Sequence, residues 1–402
     1  MIRNIIFSNY RLFSSQQSMR LAPITVVFGK NNIGKSAILK LPLLIQSALH
    51  EQSPNVFSKT TINEIILCDE FRDVVYGKAN KKVQLSISSD DSSLLQFGFI
   101  VDKDLTGEWY TIIESWKLIS DDFTLNIKWD YDQSKYFEEG STREIQFQGI
   151  KPLNCTEQDR VSDILLHFHQ LTDYIGPIRT VDMKREFRLS PIGDKPYSGK
   201  DGILNYTYLV KSHLSVERPL FDKVTKWYQK NFDGWKLGVD KSRDPLYSLT
   251  MTLGNMKNDL QDMGEGIVQS LPIVTAVCRD YGFPTLLELE EPGTHLHPAA
   301  QGPLAELIVS EILDNPSKKF LIETHSLNFI LRLRSLVASG KLPLENVELY
   351  YVEFDKENST SCLKSAGLKA DGSVTSWPEN VFKEAFQEVL NIRKAQIKHN
   401  SL

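Results

Sequence analysis

The chain has 402 residues, 41% hydrophobic and 24% charged, with a net charge of −5. This composition excludes an extended disordered chain and a protein sheathed in basic charge, and it leaves only a local basic face for nucleic acid. Cys68, Cys155, Cys278 and Cys362 stand far apart without zinc-ligand spacing, no apolar run reaches the length of about 18 residues that a membrane span needs, and the first twenty residues hold no continuous hydrophobic stretch. The expectation is a cytoplasmic protein with reduced thiols and no membrane contact.

Two strand-like pieces open the chain, Ile2 to Phe7 and Ile24 to Phe28, and the second is apolar, uncharged and largely β-branched. It runs into Gly29, Lys30, Asn31, Asn32, Ile33, Gly34, Lys35, Ser36 and Ala37, a full match to G-x-x-x-x-G-K-[ST] between a strand and a helix. Glycines let successive backbone N–H groups curl around phosphate oxygens, and the helix that follows adds its positive end. Lys35 is placed to reach the β- and γ-phosphates of ATP, and Ser36 to ligate Mg²⁺. The helix is expected to run to about His50.

Residues 60–152 change texture. Alternating runs such as Val83 to Ile87 and Leu125 to Trp129 predict antiparallel strands broken by polar turns. Tyr174 to Arg179 ends a further apolar strand with Gly176-Pro177, and the basic residues Lys184, Arg185 and Arg188 follow. Residues 203–232 have helical spacing but no sustained heptad.

The strand Thr285 to Leu289 ends in adjacent carboxylates, Glu290 and Glu291. Beside a phosphate loop, Glu290 suits the Mg²⁺ shell and Glu291 the orientation of the attacking water. Upstream, Gly264 and Gly266 precede an apolar helix that carries Gln269, and a glycine-bearing helix start is a second anion-binding feature. Downstream, Phe320 to Glu323 leads into Thr324-His325-Ser326.

Taken in order, the phosphate loop, the Gly-rich helix start, the double acid and Thr-His-Ser resemble the ABC-type ATPase heads of the SMC/RecF superfamily. The sequence is similar above all to stand-alone ATPases related to the overcoming-lysogenization-defect (OLD) proteins, many of them linked to anti-phage defence. The resemblance implies an α/β P-loop NTPase of ABC/SMC-head type. Its discontinuous core would span 1–50 and 170–345, with an inserted antiparallel β lobe over 51–169 and a helical segment at 200–245. A C-terminal hairpin-plus-helix module would span 346–402, its helix carrying Val381, Phe382, Phe386, Val389 and Leu390. The resemblance also implies Glu290 as Walker B acid, Glu291 as catalytic carboxylate and His325 as switch histidine. Gly264, Gly266 and Gln269 would form a signature acting on a partner's nucleotide, and His295 to Pro298 would be the D-loop. Glu353 and Asp355 are too isolated to make the metal-dependent nuclease that complete OLD proteins carry.

The implied function is an ATP-hydrolysing switch that forms a homodimer or higher homo-oligomer around ATP and controls a separately encoded effector. The alternative is a RecF-like ATPase acting on DNA. Arg179, fixed by its Gly-Pro turn, is expected near the nucleotide or the dimer seam, and the later basic residues near DNA or an acidic partner.

Overall fold

The computed structural model describes residues 1–50, 57, 60–103, 109–179, 185–189, 195–378, 391–393 and 396. Strands β1 (Ile2–Ser8), β2 (Gln17–Arg20) and β3 (Ile24–Gly29) open the chain, followed by helices α1 (Lys35–Leu39) and α2 (Leu41–His50). The single helix expected to His50 is broken at Lys40. Pro42 accounts for the break, since it has no N–H to bond the Ile38 carbonyl and its ring crowds that oxygen.

The central sheet is built around β3. Its other members are β4 (Leu171–Ile175), β5 (Thr285–Glu290), β6 (Lys318–Glu323), β7 (Val347–Asp355) and β8 (Thr360–Ser365), in the order β4-β5-β6-β3-β7-β8. All neighbours are parallel except the β7–β8 hairpin. The residues of β3 and β6 are all buried, as expected of parallel strands covered on both faces.

Side-chain alternation then divides the sheet into two faces. Val27, Leu286, Leu321 and Tyr174 point into a core shared with α1, α2 and a large antiparallel sheet. Ile24, Val26, Phe28, Leu287, Leu289 and Ile322 point into a second core. That core is closed by helices α3 (Glu265–Cys278), α4 (Pro298–Asp314) and α5 (Leu327–Ala338).

Three expected boundaries shift. The β lobe is not a separate insertion: β1 pairs with the strand Val83–Ser89, Ile5 opposite Ile87 and Phe7 opposite Leu85. Both β1 and β2 thus belong to one nine-stranded sheet among the described residues. The helical segment ends before 245, because Lys236–Arg243 is a strand paired with Leu246–Leu253. The C-terminal hairpin is not a module of its own, for β7 lies parallel to β3, from Val347 opposite Ile24 to Val352 opposite Gly29. The reason is visible in its sequence: Leu349 and Tyr351 fill one core while Tyr350 and Val352 fill the other. The expected final helix over Val381 to Leu390 lies outside the described residues. No helix among the described residues is long and apolar enough to cross a membrane.

Candidate nucleotide-binding site

The site forms where β3, β5 and β6 end together. Register places Glu290 beside Glu323, and Glu323 beside Val27. Glu290 is in phase with Leu286 and Glu323 with Leu321, so both carboxylates lie on the α1 face. The acid-bearing strand β5 is separated from the loop strand β3 by β6.

Between β3 and α1, the loop needs its two glycines. Gly29 has φ +143°, and a Cβ there would lie 2.8 Å from the Val352 carbonyl oxygen. Gly34 has φ +98° and caps α1, with the Phe13 ring 3.1 Å from the place a Cβ would take. Lys30, Asn31 and Asn32 are exposed, while Ile33 is tucked in and its carbonyl accepts from Ser361 Oγ at 2.7 Å. Ala37 lies in the first turn of α1, and its carbonyl accepts from Tyr10 OH at 2.9 Å.

Lys35 is buried. Its Nζ donates to the Lys30 carbonyl at 2.7 Å and lies 3.5 Å from Glu323 Oε1. Ser36 Oγ lies 3.1 Å from Glu290 Oε1 and 2.8 Å from Glu323 Oε2. The other Glu290 oxygen accepts from the Tyr174 hydroxyl. These are hard oxygen donors beside a phosphate loop, a set that suits Mg²⁺.

Glu291 leaves the strand in a left-handed conformation, φ +48°, which turns it away from Glu290. One of its oxygens accepts from the His325 backbone N–H at 3.1 Å, and the other lies 3.5 Å from the ring Nε2. Burial pushes the Glu291 carboxyl up to about 7 and, with Lys35 adding, pulls the His325 ring below its ordinary value. One ligand atom each from Glu291, Glu323 and His325 fall within 4.8 Å of one another. A carboxyl whose pKa is raised toward neutrality beside a histidine is suited to general-base work.

Arg179 stands behind the acids. It is 1% exposed, and its Nη2 donates to the carbonyls of Glu290 at 2.6 Å and Glu291 at 2.8 Å, while Nε donates to Gly176 at 2.9 Å. Burial lowers its pKa to about 10. It therefore holds the backbone that presents Glu291. Lys184 lies outside the described residues. Arg185 forks onto Asp262 at 2.7 and 2.5 Å, and exposed Arg188 sits in a short strand opposite Leu246.

Gly264, Gly266 and Gln269 are not brought to this loop. They belong to the start of α3, which packs into the second core, on the face of the sheet away from α1. Gly264 is the exposed N-cap of α3, and Gly266 packs against the His295 carbonyl, 3.0 Å from the place of a Cβ. Gln269 Nε2 donates to Glu265 at 3.1 Å.

Sequence reasoning passed over Glu323, Tyr174 and Glu288. The signal for Glu323 was its phase: an acid closing the apolar run Phe320 to Ile322 of a buried strand, two residues after Leu321. Glu288 is fully buried on the same face, neither oxygen hydrogen-bonded among the described residues, and burial pushes it well above the usual carboxylate range.

Comparison with known proteins gives two sequence matches. Residues 1–172 match a family described as AAA ATPase domain, and residues 215–332 one described as AAA domain, putative AbiEii toxin, Type IV TA system. No curated protein matches the chain. Solved structures with some likeness include an Smc head bound to the C-winged helix domain of ScpA, at 11% identity and TM-score 0.49, covering 90% of this chain and 97% of that one. An SMC head domain from Thermotoga maritima gives 11% identity and TM-score 0.42, covering 90% and 98%. An Smc head with an extended coiled coil, bound to the C-terminal domain of ScpA derived from Pyrococcus furiosus, gives 11% and 0.44, covering 98% and 99%. The strand order and the phosphate loop make this an α/β P-loop fold, and both family matches are to AAA ATPase domains.

Proposed function

We propose that the chain binds and hydrolyses ATP with Mg²⁺, closes on a second copy of itself around the nucleotide, and uses that cycle to control a separately encoded effector in anti-phage defence. The observation that carries the enzymatic part is the convergence of Lys35 and Ser36 with Glu290, Glu291 and His325 at the ends of three adjacent strands. Lys35 would leave the Lys30 carbonyl for the phosphates, and the loop N–H groups would cradle them. Mg²⁺, when bound, supplies charge that offsets the β- and γ-phosphates. Glu291 would take the proton of the attacking water, oriented by His325 and held by the Arg179-bonded backbone.

The second copy is invoked for Gly264, Gly266 and Gln269, which lie apart from their own loop on a helix whose start is exposed. The defence role rests on the OLD-like resemblance and on the family description that names a toxin of a type IV toxin–antitoxin system. The RecF-like reading is weakened at Arg185, whose charge is already engaged by Asp262. ATP turnover by the purified chain, with mass measurement with and without ATP, tests the enzymatic and assembly parts. Turnover with an ATP-dependent doubling of mass is expected, and neither turnover nor nucleotide binding would overturn the reading. Co-purification with neighbouring gene products tests the effector.

A further inference from the structure

We propose that Glu323 is a third protein oxygen donor to the Mg²⁺ site, with Ser36 and Glu290, and that it exchanges Lys35 for the metal when nucleotide binds. This deepens the ATP-binding reading above and rests on it.

The first observation is the pairing. Glu290 and Glu323 are direct neighbours on parallel strands, on the same face and at the same end. Like charges so placed repel, and a retained proton or a nearby cation must relieve them. Ser36 Oγ lies within hydrogen-bond distance of both carboxylates, so the residue expected to touch the metal is already centred between them.

The second observation is the charge count. Among the described residues, Glu290 makes no ion pair, and its oxygens meet only the hydroxyls of Ser36 and Tyr174. Glu323 has one cation, Lys35, at 3.5 Å. Glu291 adds a further carboxyl within 4.8 Å of Glu323. One ammonium, with the Arg179 guanidinium behind Glu290 and Glu291, thus faces a group of three acids.

The third observation is the position of Lys35. Its side chain is 4% exposed, and the amine is tied back to its own loop at the Lys30 carbonyl. A triphosphate in the loop draws that amine away, because a polyanion offers far more charge than one carbonyl. Glu323 then loses its cation while 5% exposed, an unfavourable state for a carboxylate. A divalent cation at Ser36 restores the balance. Loop phosphate and metal are thereby coupled through one side chain that neighbours Glu291 on its other side.

Manganese binding read by electron paramagnetic resonance tests this, in the full chain with ADP present and ADP affinity measured separately in EDTA. Glu323→Gln keeps the shape and an acceptor for Ser36. It should weaken Mn²⁺ binding by between about 10- and 100-fold, with ADP affinity in EDTA held within about threefold. Unchanged Mn²⁺ affinity would overturn the proposal. So would a variant that loses ADP affinity in EDTA and keeps Mn²⁺ affinity, since Glu323 would then serve only to hold Lys35. Should Glu323→Gln fail to fold by circular dichroism, Glu323→Asp takes its place. One methylene shorter, it should weaken Mn²⁺ at least about threefold, and wild-type affinity would again overturn the proposal. Wild type that binds no ADP in either condition would defeat the underlying ATP reading instead.

Discussion

The phosphate loop and the start of α3 are both glycine-bearing helix starts, yet they are finished differently. At the loop the functional groups are partnered within the chain: Lys35 on Lys30 and Glu323, Ser36 between two acids, Glu291 on His325. At the α3 start, Gly264 and Glu265 are exposed, and a Cβ on Gly264 would meet nothing within 4 Å. That helix is fastened from behind, by Ser270 against Tyr228 OH at 2.7 Å and by Gly266 against His295. The contrast teaches that one half of the proposed chemistry is assembled inside the chain, while the other half is held ready on its surface.

Breaking the inner half should give the largest effects. Lys35→Ala should lower ATP affinity about 30-fold or more, from the roughly 2–5 kcal/mol lost when one side of a buried charged pair is removed. A binding titration showing wild-type affinity would dissolve the site. Glu291→Gln should keep ATP affinity and slow turnover between about 10²- and 10⁴-fold. It should also accumulate the ATP-bound dimer in gel filtration. Near-normal turnover would move the base elsewhere, with Glu290 the first suspect.

Striking the outer half should leave ATP binding to the single chain intact. Gly264→Asp fits the open space at its Cβ position but places a carboxylate where the helix start would meet phosphate. Turnover should fall about 100-fold, and a parallel loss of ATP affinity would mean that α3 serves its own loop.

Between the halves stands Arg179. Arg179→Ala leaves the carbonyls of Gly176, Glu290 and Glu291 without this donor, each worth about 1–3 kcal/mol when buried. It should cut turnover about tenfold and lower the melting temperature, with Arg179→Lys recovering part of both. Loss of stability with full turnover would reduce Arg179 to a packing residue. The smallest effect belongs to Arg185→Ala with Arg188→Ala. Both are exposed, so turnover should change less than about twofold.

The loop, the double acid and His325 were legible because each is a short motif on an element with a clear pattern, and buried strands give such motifs a fixed phase. Glu323 was not, because its role depends on strand order: only when β6 lies between β3 and β5 does an acid ending it face Ser36. Arg179 was readable as rigidly aimed, but not as aimed at carbonyls, since nothing local announces the left-handed turn at Glu291. The β7 boundary failed for a related reason. Leu349–Val352 was apolar on both faces, which fits a sheet interior better than an appended hairpin, and only pairing with β3 made that decisive.

The central claim is that an inner half on one chain is completed by an outer half on another. Mixing Lys35→Ala protein with Gly264→Asp protein tests it most directly, because each lacks a different half and a mixed dimer contains one intact composite site. Each variant alone should be nearly inactive, and the mixture should regain ATP turnover in proportion to the heterodimer measured by native mass. Heterodimers that form without any recovery of turnover would contradict the account.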